Sequence, residues 1–163
     1  MIMDEKKTVI RPSCVSDTEK IREIVREQWG RIYSGYADII GEELYSIAFR
    51  DALDKKTETI AEMALDSDHC FVALEDGQVC GFCCFDESGE VGILSNNAVA
   101  DAYKGRGIAS KLYSRAFEKM KERGCKAVRL QTGLDDAHIS ARRAYEKMGF
   151  EVGLPSITYY KKL

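Results

Sequence analysis

The residues with most chemistry to offer lie in one run, Val99-Ala-Asp-Ala-Tyr-Lys104-Gly105-Arg106-Gly107-Ile108-Ala109-Ser110-Lys111-Leu112. A strand-like stretch enters it and a helix-like stretch leaves it. The first N–H groups of a helix have no intrahelical partners, and the dipole there favours an anion. Gly105 and Gly107 let a phosphate approach the backbone, while Lys104, Arg106 and Lys111 add positive charge. The run therefore reads as a phosphate cradle; a plain glycine turn with solvated basic side chains explains the same residues. A Walker loop, G-x-x-x-x-G-K-[ST], is not present, and Ser110 stands where a dinucleotide fingerprint needs its third glycine.

Cysteines offer a second chemistry. Cys80-Gly-Phe-Cys83-Cys84 contains C-x-x-C, and His69-Cys70 lies ten residues upstream, which is compatible with zinc ligation or a redox pair. However, residues 79–85 are almost all apolar and read as a buried strand, where Cys80 and Cys83 are expected on opposite faces. No second C-x-x-C or spaced histidine pair completes a site. Core cysteine is the favoured reading, and no metal is expected.

The elements that must position these residues follow from periodicity. Residues 8–11 are a β-branched run stopped at Pro12, a first strand. Ser16-Asp-Thr-Glu19 reads as a capping box, and Ile21, Ile24 and Val25 predict a helix to about Gln28. Residues 29–41, with glycines at 30, 35 and 41, read as a loop. Helical patterns return over 42–52 and about 57–65. Asp76-Gly77 between apolar runs is a strong hairpin signal. With a second turn at Glu87-Ser-Gly-Glu90, it predicts three antiparallel strands over about 69–99. A helix from Gly107 carries the stripe Ile108, Leu112, Tyr113, Ala116, Phe117 and Met120, and Gly124 suits its end. Residues 127–132 read as a strand. Asp135-Asp136 caps a helix whose inner face is Ala141, Ala144, Tyr145 and Met148, and Gly149 ends it. Residues 150–152 and 157–161 read as the last strands. The fold class is α/β, a mixed sheet with helices on both faces, expected as a single domain over residues 1–163.

Composition narrows the function classes. Of 163 residues 45% are apolar, and 24 basic against 27 acidic side chains leave a net charge of −3. That gives no electrostatic case for nucleic acid or an anionic membrane. No apolar run approaches the ~18 residues of a membrane span. The start Met1-Ile-Met-Asp-Glu-Lys-Lys7 lacks the apolar core of an export signal. Six cysteines then suggest reduced thiols in a cytoplasmic protein.

The loop resembles the acyl-CoA loop of the GNAT superfamily of N-acetyltransferases. Lys104-Gly-Arg-Gly107-Ile-Ala109 fits that family's [QR]-x-x-G-x-[GA] apart from its first residue. A second block, His138-Ile-Ser-Ala141-Arg-Arg-Ala-Tyr145-Glu-Lys-Met-Gly149-Phe150, is similar to N-x-x-A-x-x-x-Y-x-x-x-G-F except at its first position. The element order matches over nearly the whole chain. The resemblance implies an acyl-CoA N-acyltransferase fold, mainly antiparallel in its first half and parallel at the CoA-binding strand.

It also implies a reaction: an acetyl group moves from acetyl-CoA to a primary amine of a small molecule or protein, by direct attack in a ternary complex. By the resemblance, pyrophosphate falls to Lys104, Gly105, Arg106, Gly107, Ile108, Ala109 and Ser110. The pantetheine arm falls to the backbone of Asn97, Ala98 and Val99, with Asn97 offering an oxyanion donor. His138 stands near the cofactor in place of the usual Asn, and Tyr145 holds the general-acid position. The base stays open: residues 91–99 carry no carboxylate, Glu90 and Asp101 flank them, Asn96 and Asn97 could order a water, and His138 titrates near neutrality. Trp29, Tyr33 and Tyr36, with Asp38, Glu42 and Glu43, are candidates to receive a cationic amine. The alternatives are a non-catalytic acyl-CoA-binding sensor and a Cys/His metal module. The expected partners are acetyl-CoA and an amine; a homodimer is compatible, and the sequence does not fix oligomeric state.

Overall fold

A computed structural model describes residues 7–163; the reading of the first six residues as free of an export signal lies outside them. The chain runs β1 (Val9–Pro12), α1 (Thr18–Ile40), α2 (Glu42–Ala48), α3 (Ala52–Met63), β2 (Cys70–Glu75), β3 (Gln78–Ser88), β4 (Val91–Val99), α4 (Ile108–Glu122), β5 (Ala127–Arg129) and α5 (Ile139–Lys147), with short 3-10 turns before α1, α4 and α5. The five strands form one sheet in sequence order. β1 to β4 pair antiparallel, and β5 joins β4 in parallel. No helix among the described residues is long and apolar enough to cross a membrane.

The alternation of β2 builds two cores. Phe71 and Ala73 face α4, with Phe85, Leu94, Leu112 and Met120. Cys70 and Val72 face α1 and α3, with Ile21, Ile24, Ile60 and Phe82. The Asp76-Gly77 hairpin forms as expected, both residues taking positive φ (51° and 76°), the backbone that a two-residue hairpin twist requires.

Several expectations are corrected. The first helix does not stop near Gln28 but runs to Ile40. Trp29, Ile32, Tyr33 and Tyr36 continue its apolar stripe, and Tyr33 and Tyr36 pack on Phe49, so tertiary burial outweighs the ~1 kcal/mol helix cost of each glycine. The second helix ends at Ala48 rather than 52, and the third starts at Ala52 rather than near 57. The capping box shifts from Ser16 and Glu19 to Cys14 and Asp17, because Asp17 accepts from the Cys14 N–H and from both Arg11 terminal nitrogens, all at 2.8 Å. Cys80 and Cys83 face the same core, not opposite ones. The register slips between Ala73 and Leu74, leaving Cys80 as an extra residue opposite β2, and such a bulge breaks the two-residue alternation. β5 stops at Arg129 rather than 132. The two last strands do not form: residues 150–163 carry no strand, and Val152, Leu154 and Ile157 are exposed.

Candidate active site

The site opens where two strands part. β4 and β5 pair only over residues 91–93 and 127–129. Past Ile93 the β5 side of β4 has no partner strand, so its backbone polar groups on that side need water or an extended ligand. The gap is a cleft of about 600 Å³ lined by β4 residues 95–99, the 103–110 loop and helix start, Gln131, Thr132, and α5 residues Ala141, Ala144 and Tyr145.

At one end stands the anion cradle. Gly105 and Gly107 take φ of 77° and 74°, and a Cβ on either would meet nothing within 4 Å, so the space before the helix is clear. The first helical bond of α4 runs from the Lys111 N–H to the Gly107 carbonyl at 3.1 Å. The N–H groups of Ile108, Ala109 and Ser110 are thus the orphan donors of the first turn, and all three residues line the cleft. Lys104 lines it too, its ammonium near Asp101 (2.8 Å) and Gln28 (2.7 Å). Arg106 differs from expectation at its side chain: the guanidinium turns away to buried Glu75 (2.8 Å) and the Ala102 carbonyl (2.9 Å), pinning the loop to β2. The geometry suits a pyrophosphate held by backbone rather than by Arg106.

In the middle stand two tyrosines and one amide. The Tyr113 hydroxyl donates to Asn97 Oδ1 at 2.6 Å. Asn97 Nδ2 donates to the Ser95 carbonyl (3.1 Å) and to the Tyr145 hydroxyl (3.2 Å), and the Tyr145 hydroxyl donates to Oδ1 at 3.3 Å. Burial pushes both phenols above their ordinary value, so both hold their protons at neutral pH. Periodicity placed Tyr113 in the apolar stripe and gave no hint of its polar bond. Gln131, Thr132 and Lys56 also line the cleft without having been singled out.

The remaining candidates separate. Asn97, Ala98, Val99, His138 and Trp29 line the cleft. His138 precedes α5, with Nδ1 2.8 Å from Asp135, and stacks on Tyr36. Tyr33 and Tyr36 pack with Phe49 outside the lining, and Asp38, Glu42 and Glu43 are also absent from it. Glu90 is corrected as a base: it sits at the opposite end of β4 from Asn97, exposed and paired with Lys126. Asp101 is held well below the usual carboxylate range, chiefly by Arg31 and then Lys104, which makes it a poor proton acceptor. Among the described residues, no carboxylate lines the cleft.

The cysteines are free. Burial pushes the Cys80 thiol up to about 11 and Cys83 well above its ordinary value, which makes neither a ready nucleophile. Among the described residues, His69, Asp86 and Glu87 lie close enough to share a cation. There Arg123 donates to Glu87 at 2.6 Å and lies 2.9 Å from His69 Nε2, so the cluster is knit as an ion-pair network.

Comparison with known proteins completes the description. A family model described as the acetyltransferase (GNAT) family matches residues 19–150. The N-alpha-acetyltransferase MAK3 of Arabidopsis thaliana is 33% identical over 85 residues, 50% of this chain and 44% of that protein. N-alpha-acetyltransferase 30 of Schizosaccharomyces pombe is 36% identical over 59 residues, 36% of this chain and 38% of that one. The chain thus matches less than half the length of either relative. Among solved structures, the PaiA N-acetyltransferase of Thermoplasma acidophilum with coenzyme A superposes with a TM-score of 0.70 at 23% identity, over 90% of this chain and 91% of that one. The aminoglycoside N-acetyltransferase AAC(6')-Iy with CoA gives 0.67 at 20% identity over 100% of both. At such identity these structures establish a shared fold.

Proposed function

Since this chain belongs to the GNAT acetyltransferase family, we propose that it moves an acetyl group from acetyl-CoA to a primary amine, by direct attack within a ternary complex. The observation that carries this is the open edge of β4 lying between a helix N-terminus with three orphan N–H groups and a protonated phenol. The reading treats residues 1–163 as one acetyltransferase domain. The six free cysteines suit a reducing, cytoplasmic setting.

Acetyl-CoA supplies an activated thioester that a neutral amine attacks. The N–H groups of Ile108, Ala109 and Ser110, with the helix dipole and Lys104, hold the pyrophosphate. Residues 97–99 offer their free edge to the pantetheine amides, as a sheet edge takes an added strand. A backbone N–H at Asn97 or Ala98 steadies the charge that develops on the carbonyl oxygen. Tyr145 gives its proton to the departing sulfur. Its O–H has only a long bond to Asn97 Oδ1 at 3.3 Å and turns readily toward the cleft, whereas the Tyr113 proton is held by the same oxygen at 2.6 Å. With no carboxylate in the lining, the amine's proton leaves through water held at the polar Ser95 and Asn96 side chains.

A homodimer belongs to the same reading. Residues 150–163 expose Val152, Leu154, Ile157 and Tyr159, and β5 is an edge strand; a second copy would cover both.

The test is calorimetry with acetyl-CoA, followed by an amine screen read by thiol release and by the acceptor's mass. Stoichiometric binding and at least one acetylated amine support the proposal. Binding without acetylation of any amine would favour the non-catalytic sensor, and no binding would reject both.

A further inference from the structure

The far end of the cleft holds a cation with no counter-ion. Two other cations line this space, and each has a carboxylate: Arg31 bonds Asp101 at 2.6 Å, and Lys104 lies 2.8 Å from the same Asp101. Lys56, on α3, has no ion pair or hydrogen bond among the described residues. Its ammonium stands 5.7 Å from the centre of the Trp29 ring, and Trp29 stacks in turn on Phe82 at 6.4 Å. Burial lowers the Lys56 pKa, and no carboxylate acts against that.

Lys56 lines the cleft with Ser95 and Asn96 and lies within electrostatic reach of the Cys84 thiol, and the Cys84 carbonyl accepts from Ser95 Oγ at 2.9 Å. Asn96 and Ser95 lie about 10 and about 13 Å up β4 from Val99, at ~3.3 Å per residue, away from the anion cradle. This is the acyl end of the acetyl-CoA path, where an acceptor must approach. A cation there without a partner repels a polycation, and it is satisfied by a ligand that brings a negative group.

We infer that the acceptor is an amine bearing its own carboxylate, and that Lys56 holds this carboxylate while Trp29 packs against the carbon skeleton. The inference rests on the acetyl-transfer reading and names its substrate class. Lys56 has a second effect on the same molecule: a nearby positive charge disfavours the protonated form of the incoming amine, and only the neutral amine attacks. The carboxylate can belong to a free amino acid or to an acidic residue beside a peptide N-terminus; both offer the same group.

The experiment measures initial rates of thiol release with acetyl-CoA and matched acceptor pairs. One arm sets amino acids against their carboxamides; the other sets peptides beginning with Asp against the same peptides beginning with Asn. The expected result is that the carboxylate member has the higher kcat/KM by roughly tenfold or more, mostly through KM, as for one charge-assisted bond. The arm that shows it identifies the source of the carboxylate. Lys56→Gln should shrink the ratio toward one, Lys56→Glu should invert it, and Lys56→Arg should keep part of it. A melting curve and an acetyl-CoA titration confirm that each variant is folded. Equal rates within every pair, or a preference that survives Lys56→Gln, would overturn the inference while leaving acetyl transfer standing. Failure to acetylate any amine would overturn both.

Discussion

Tyr113 and Tyr145 reach the same Asn97 side chain from two helices, and their protons are held unequally. Tyr113 donates to Oδ1 at 2.6 Å and Tyr145 at 3.3 Å, so the Tyr145 proton is the one more easily released to the cleft. Tyr145→Phe should therefore lower kcat by ~10²-fold, within the usual range for an acid–base group, with little change in acetyl-CoA affinity. Steady-state turnover beside a cofactor titration checks this; turnover within about threefold of wild type would remove the acid role, since that is under 1 kcal/mol of barrier. The pH profile follows with a definite sign. Burial raises the Tyr145 pKa above its ordinary value, so the acid form persists through neutrality and any loss of kcat from Tyr145 ionisation belongs on the alkaline side of the ordinary phenol range. Periodicity placed Tyr145 on an inner helix face, and only the resemblance of its local motif singled it out as an acid. Tyr113 was legible only as core, since its hydroxyl's partner is on another element. Lys56 was hidden for a similar reason: in Asp-Lys-Lys-Thr nothing local distinguishes a cleft lysine from a solvated one.

At the scale of elements, the helix starts carry the account. α4 begins behind Gly107, whose φ of 74° and empty surroundings serve the cradle. Gly107→Ala should cost about 1–2 kcal/mol through the left-handed backbone and should weaken acetyl-CoA binding beyond that, by blocking the backbone's approach to phosphate. Thermal melts and calorimetry separate the two effects; unchanged affinity in the folded variant would reject the cradle. The turn before α1 rests on Asp17, which is 3% exposed and ties β1 to the helix through Arg11. Asp17→Asn should cost about 2 kcal/mol, the scale of hydrogen bonds to a buried charge. Arg11 chiefly holds the Asp17 pKa below its ordinary value, so the unfolded chain binds that proton more tightly. The contribution is complete above the unfolded value of about 3.9 and drains away as pH falls through the folded one. Melts of both proteins from pH 7 to 2 should converge at the acid end. Capping residues showed in the sequence, but which of Ser16 and Asp17 would serve was decided by Arg11, a partner on β1. The bulge at Cys80 was equally invisible, since its apolar run reads the same with or without an extra residue.

Across the whole molecule, the layers were legible because the period changes from helix to strand near residue 69 and back near 107. The loop reading of 29–41 failed where aromatic packing on Phe49, just past α2, sustained a glycine-containing helix. The strands expected after Gly149 find no partner among the described residues, which their alternation could not reveal. On the dimer proposal, light scattering should report two copies for the full chain and one for a chain ending at Phe150. A monomeric full chain at high concentration would reject it. The central claim, direct acetyl transfer from acetyl-CoA to an amine in this cleft, is tested most directly by initial velocities of thiol release with acetyl-CoA and the best amine both varied. The account predicts amine-dependent release and intersecting reciprocal plots, as for attack within a ternary complex. Release that does not depend on amine, or parallel plots with an acetylated enzyme as intermediate, would contradict it.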